Sequence, residues 1–217
     1  MKKSKKRAKR LTKTKLPDRA VKYRADELET FFWWMRERHN IYLKRKNKEP
    51  YPWTDNEVLQ EYKFTNVFRQ LDRVTEAWTD RYVRLLGRGK GMKDGDLLFH
   101  CLMFRIFNWP ETYDCLYFGM YKTSKDWNLK QAIQLLEYRR DKEHEKIFTG
   151  AYIVSNGASD DRKINVICEA LDEAYKMRGE LAHDIIKDPT MQNAVEVLQR
   201  VPTVGRFVAY EVACDLR

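Results

Sequence analysis

The segment from Pro52 to Thr75, reading Pro-Trp-Thr-Asp-Asn-Glu-Val-Leu-Gln-Glu-Tyr-Lys-Phe-Thr-Asn-Val-Phe-Arg-Gln-Leu-Asp-Arg-Val-Thr, constrains this chain more than any other. It opens as a capped helix does, with Thr54 as N-cap and Asp55 and Glu57 near the positive end of the helix dipole. Val67, Phe68, Leu71, Val74 and Trp78 recur at three- and four-residue steps, the pattern of a buried helix face. Tyr62, Asn66, Arg69 and Arg73 recur at the same steps on an adjoining face. One long helix from about Asp55 to Leu86 is predicted. An amide and two guanidiniums in line beside aromatics suit phosphates and bases.

The remaining chain points the same way. Only nine Gly and six Pro interrupt 217 residues dense in Leu, Lys, Arg, Glu and aromatics, which favours helix. Asp26 is the expected N-cap of a helix reaching about Arg45. Gly87-Arg88-Gly89-Lys90-Gly91 breaks the long helix; it is either an interhelix connection or a loop whose amides face a phosphate, and no P-loop Lys-Ser/Thr follows. An apolar helix from Asp96 to Phe107 stops at Asn108-Trp109-Pro110, and Pro110 opens the next. Further helices are predicted for Asn128–Lys142, Asp161–Met177 and Thr190–Arg200. Phe148–Asn156 alone has strand character and is read as an extended loop or short helix. Trp33, Trp34 and Trp78 are expected in the core. The expected fold is all-α, a multi-helix bundle with little or no sheet, with residues 25–217 as a single helical domain.

Charge is distributed unevenly. The chain has 42 Lys and Arg against 32 Asp and Glu; residues 1–24 hold twelve and one of these, leaving thirty and thirty-one, or −1, for the rest. The basic tail is expected to be disordered and to bind polyanions through counterion release, or to act as a solubilising or targeting arm. Lys5-Lys6-Arg7-Ala8-Lys9-Arg10 can serve as a nuclear import signal in a eukaryotic or viral setting. An intracellular location is expected, in the host cytoplasm if the chain is phage-encoded. No apolar run reaches the length of a membrane span, and the start has no secretory character. Cys101, Cys115, Cys168 and Cys214 are too widely spaced for a CxxC site, and the four histidines form no HxxxH pattern. Buried free thiols, no metal site and no cofactor are expected.

Residues 194–216 have the form of a helix-hairpin-helix element, with Leu198 and Val201 ending one helix, Pro202 to Gly205 turning, and Ala209 allowing close packing of the second. Such a hairpin aims backbone amides at a DNA phosphate, here at Thr203, Gly205 and Arg206. The usual motif reads Leu-Pro-Gly-Val-Gly, and Thr203 stands at the first glycine. Two ordinary helices joined by a Pro-Gly turn are the other reading. Asp215 lies too near the hairpin to match the catalytic aspartate of helix-hairpin-helix glycosylases, which argues against that activity.

Four stretches carry a family likeness: Pro52–Thr75, Phe31–Arg38, Arg105–Thr112 and Phe207–Leu216. Through them the chain, from about residue 25 onward, resembles the helical α-glutamyl/putrescinyl-thymine pyrophosphorylases, also called the helical domain associated with 5-hydroxymethyl-deoxyuridine DNA kinase. That family continues past the Asp-Leu pair with a Gly-Pro-Gly-containing segment that is missing here, so a shortened member or a truncated product is expected.

The resemblance implies thymine hypermodification in DNA, mostly in bacteriophages. A kinase activates 5-hydroxymethyluracil as a pyrophosphate ester, and the helical protein exchanges the pyrophosphate for an amine or amino acid. The implied partners are double-stranded DNA carrying the modified thymine, an amine or amino-acid co-substrate, and a DNA base kinase. Arg38, Arg69, Arg73 and Arg105 are candidates to meet the departing anion, and Glu37 or Asp72 to take the amine proton. Trp53, Tyr62 or Trp109 can stack on an extruded base, and Asn66 or Asn108 can read its edge. Glu37–Arg38 and Asp72–Arg73 can equally be surface ion pairs, and Asn108 a helix terminator. A non-catalytic DNA-binding accessory module, or a helical scaffold for a partner protein, are the alternative functions.

Overall fold

The computed structural model describes residues 24–86, 92–121, 126–150 and 160–216. Residues 1–23 of the basic tail, the glycine-rich residues 87–91 and residues 151–156 of the segment read as extended loop or short helix lie outside the described residues. Among those described there are nine α-helices and no strand. The fold is all-α. The chain divides into two compact units with the boundary between Val67 and Phe68.

In the first unit, helix α1 spans Ala25–Lys46 and the short α2 spans Glu57–Glu61. Asp26 is not the N-cap of α1; with Glu27 it occupies the first turn, where its charge still meets the helix dipole. Nor does Thr54 cap α2. Asn56 does, its Oδ1 accepting from the Leu59 amide at 3.0 Å, while buried Thr54 accepts from the Asn56 amide at 3.2 Å. Trp33 is exposed rather than in the core.

The long helix predicted from Asp55 to Leu86 is broken. Helix α2 ends at Glu61, the backbone is non-helical from Tyr62 to Phe68, a 3₁₀ turn covers Arg69–Leu71, and α3 runs over Arg73–Leu86. Two physical causes can be named. Arg38 Nη2 donates to the carbonyls of Phe64 at 2.6 Å and Thr65 at 3.3 Å, which anchors this stretch in its non-helical path. Downstream, Asp72 Oδ2 accepts from the amides of Val74 at 3.0 Å and Thr75 at 3.1 Å, starting a new helix. The aromatic and β-branched run between them has little helix propensity to resist.

The second unit is built around α4, Asp94–Phe107, whose residues from Leu98 to Phe107 are all buried. Around it pack α3, α5 (Pro110–Tyr121), α7 (Asp160–Lys187) and α9 (Arg206–Asp215), with α6 (Leu129–Asp141) on α5 and α7 and α8 (Met191–Leu198) on α7 and α9. Gly95 lets α4 approach α7: a Cβ there would lie 3.0 Å from the Arg178 carbonyl. Helix α7 continues well past Met177, where sequence periodicity ends it, because its buried Leu181 and Ala182 keep it in the core. Asn128 and Thr190 cap α6 and α8, accepting from Gln131 at 2.9 Å and Asn193 at 3.2 Å. Cys101 and Cys168 are buried free thiols; Cys115 and Cys214 are half-buried.

Candidate functional site

The second unit contains a compact arginine–carboxylate cluster at the C-terminal end of α9. Glu211 and Asp215 are one turn apart on that helix, and so face the same way. Arg69, from the 3₁₀ turn, holds Glu211 in a fork at 3.0 and 2.9 Å through Nη1. Its Nη2 donates to the Glu211 carbonyl at 3.2 Å and to Asp215 Oδ1 at 3.1 Å. Arg105, from the last turn of α4, donates Nε to Asp215 Oδ2 and Nη2 to Asp215 Oδ1 at 2.9 Å. Its remaining donors reach Asn108 Oδ1 at 3.3 Å and Thr75 Oγ1 at 2.9 Å.

Two cations and two anions make the cluster formally neutral. Arg105 and Asp215 side chains are each 1% exposed, whereas Arg69 is 31% exposed and so is the one that solvent can reach. Burial works against the Arg69 cation, but its bonds to Asp215 and Glu211, and their charges, outweigh it and push the guanidinium further up. Arg69 Nε is buried without a partner among the described residues. Beneath lies Cys101, whose Sγ is 3.8 Å from the Val212 carbonyl; burial first, then the Asp215 charge, drives its thiol well up, so it stays protonated.

Of the predicted site residues, the fold therefore brings Arg69, Arg105 and Asn108 together. Asn108, buried and left-handed at φ 46°, also ends α4. Asp72 and Arg73 are exposed at the start of α3, Asp72 as its N-cap. Trp109 is half-buried beneath Lys146, whose Nζ lies 4.8 Å from the ring centre. In the first unit, buried Arg38 also covers the Phe64 ring at 5.4 Å, and burial, with the nearby Arg45 charge, lowers its pKa. Its Nε has no partner among the described residues. Glu37 and Asn66 are half-buried and Tyr62 is exposed. Trp53 donates Nε1 to the Glu49 carbonyl at 2.9 Å and meets Tyr51 edge-on. Neither Glu37–Arg38 nor Asp72–Arg73 is an ion pair among the described residues, so that surface-pair reading is set aside.

Sequence reasoning missed Glu211, Thr75 and the part played by Asp215. The only local signal was the four-residue spacing of the two carboxylates on a helix; their arginine partners are over a hundred residues away.

The helical hairpin is formed. Leu198, Val201, Val204 and Ala209 are buried, and the Val204 amide closes the turn on the Val201 carbonyl at 3.2 Å. Thr203 takes φ 67°, the left-handed conformation that glycine adopts without strain. Thr203, Gly205 and Arg206 are exposed at the tip.

Among the described residues no three or more His, Cys, Asp or Glu group as metal ligands, and no helix is long and apolar enough to cross a membrane.

An all-helical protein with a buried arginine–carboxylate cluster beside a helical hairpin is the class that the fold defines. Comparison with known families gives the particular one: the chain belongs to the family described as 5-hmdU DNA kinase, helical domain, which matches residues 25–217. Among curated proteins it is similar to a 5-hmdU DNA kinase of Bacillus phage SP10, 33% identical over 225 residues that cover 92% of this chain and 33% of that protein. The chain thus spans about a third of the length of the curated relative it matches. No solved structure matches it at a significant level.

Proposed function

We propose that this protein acts in thymine hypermodification of DNA, replacing the pyrophosphate of activated 5-hydroxymethyluracil with an amine or amino acid. The observation that carries the reading is membership of the 5-hmdU DNA kinase helical-domain family over residues 25–217. The amine nitrogen would attack the methylene carbon on the base. The carbon–oxygen bond breaks, pyrophosphate leaves with the electron pair, and the nitrogen gives up a proton.

The cluster supplies groups for both needs. Arg69 is the accessible cation, and a departing pyrophosphate competes with Glu211 for its fork. Glu211, released from the Arg69 fork, is a carboxylate that would take the amine proton, with Arg105 Nη1 3.9 Å away. Arg105 holds Asp215, which in turn orients Arg69. Arg73 is a further cation on α3 for the anion, and Trp109 a stacking surface for the base. Thr203, Gly205 and Arg206 at the hairpin tip would hold the duplex by its phosphates. A DNA base kinase supplies the substrate.

A second reading, a DNA-binding accessory module without catalysis, is favoured by one observation: the guanidiniums of Arg69 and Arg105 are already matched by Glu211 and Asp215 within the fold. Amine-dependent pyrophosphate release separates the two. DNA carrying the pyrophosphorylated base is incubated with the protein, with and without a mixture of amines. Release that rises with amine supports the transferase; binding to the DNA with no release supports the module.

A further inference from the structure

Two aromatic rings in the second unit are each covered by a lysine. Lys146 lies over Trp109, and Lys163 Nζ lies 4.3 Å from the Phe148 ring centre. Trp109 and Phe148 are half-buried, and each ring carries its lysine ammonium over it. The two pairs are joined through one short segment: Lys146, which covers Trp109, stands two residues before Phe148, whose ring centre lies 5.4 Å from that of Phe107.

The carrying loop is tied down. Buried Thr112 donates its hydroxyl to the carbonyls of Ile147 at 2.8 Å and Lys146 at 3.3 Å. The Thr149 amide donates to the Phe107 carbonyl at 3.1 Å. Ile147 is buried between the two outward residues and anchors them. These contacts hold Lys146 and Phe148 in place before any ligand arrives. The surface also adjoins the cluster, since Asn108, bonded to Arg105, immediately precedes Trp109.

We propose that Trp109, Lys146, Phe148 and Lys163 form a binding surface for an unpaired DNA strand, distinct from the hairpin that faces the duplex backbone. An unpaired base has an open π-face that can take the place of the ammonium on the ring, and the displaced lysine then swings to the adjoining phosphate. Bases stacked inside a duplex offer no such face. The surface therefore selects the strand segment left unpaired when a base is extruded. This inference deepens the reading of the protein as one that acts on DNA bases, yet its test needs no modified base and no catalysis.

The test is anisotropy of a labelled, unmodified single-stranded oligonucleotide with the full chain, alongside a matching duplex. Trp109→Leu and Phe148→Leu keep apolar volume and remove the ring. Each is expected to weaken single-strand binding about tenfold while duplex binding stays unchanged. The double substitution Lys146→Gln and Lys163→Gln is expected to lower the salt slope for the single strand by about 1.4. Unchanged single-strand affinity in folded ring variants would overturn the proposal, as would equal losses for both DNA forms. Should the variants fail to fold, photocrosslinking of a 5-bromouracil oligonucleotide to the wild-type chain decides. Adducts at Trp109 or Phe148 support the surface, and adducts confined to residues 1–24 refute it. Retained strand binding with no pyrophosphate release would leave this surface standing and remove the transferase reading.

Discussion

Arg105 and Asp215, 110 residues apart, close on each other through two hydrogen bonds with both side chains 1% exposed. The pair ties the end of α4 to the end of α9, and Arg69 joins it from the 3₁₀ turn before α3. Removing one partner would strand a buried charge, which costs about 3–5 kcal/mol, whereas replacing both with apolar residues of similar volume is often neutral. Asp215→Ala is therefore expected to lower unfolding stability by about 3 kcal/mol, and Arg105→Met with Asp215→Leu to recover most of it. Urea titrations of the three proteins check this.

Arg69 should behave differently because it is partly exposed. Arg69→Lys keeps a charge but cannot grip Glu211 as a fork. A stability loss of about 1 kcal/mol is expected, with a much larger loss of pyrophosphate release. Parallel melting and release assays would show a purely structural Arg69 if activity fell only in step with folding.

Asp72 separates a cap from a base. Its carboxylate caps α3, so Asp72→Ala is expected to cost about 1 kcal/mol while Asp72→Ser retains most stability. A serine cannot act as a carboxylate base. Full activity in Asp72→Ser would confine Asp72 to capping; loss of activity in the folded variant would restore the proton-acceptor role.

Thr203 holds a left-handed conformation at the hairpin tip. Thr203→Gly is expected to relieve strain and stabilise the protein by about 1 kcal/mol. Thermal melting reads the sign directly, and destabilisation would contradict the strain argument.

His100 is buried in α4, its Nδ1 3.1 Å from the Tyr113 hydroxyl, with Tyr117 also against the ring. Burial lowers its pKa to about 4, against a smaller opposing pull from Asp96. The unfolded chain protonates near the ordinary value of about 6.5, so between these values the unfolded state binds the extra proton. The stability tied to neutral His100 is complete above about 6.5 and falls as pH drops towards 4, by on the order of 3 kcal/mol. His100→Gln is expected to flatten that slope relative to wild type. Urea midpoints from pH 7.5 to 4 test it, and identical slopes would exclude His100 as the cause.

Some helix boundaries written in local chemistry were legible in the sequence, though the caps of α1 and α2 were not. Asn108 ends α4 in a left-handed conformation and Pro110 opens α5, as their order along the chain implies. The predicted helix across Tyr62–Asp72 failed because Arg38, over twenty residues upstream, anchors the carbonyls of Phe64 and Thr65. No local periodicity records that. Arg69 and Arg105 were legible as site candidates by type and setting. Their carboxylate partners were not, because Glu211 and Asp215 come from a helix brought beside them only by packing around α4.

The central claim, replacement of pyrophosphate on a modified thymine, is tested most directly by mass spectrometry of nucleosides. DNA bearing pyrophosphorylated 5-hydroxymethyluracil is treated with the full chain and a defined set of amines, then digested. The account predicts a new nucleoside whose mass is that of thymidine with one amine joined at the methyl carbon, formed in equal amount to the pyrophosphate released. DNA recovered with its pyrophosphate intact, by a folded protein that binds it, would contradict the account.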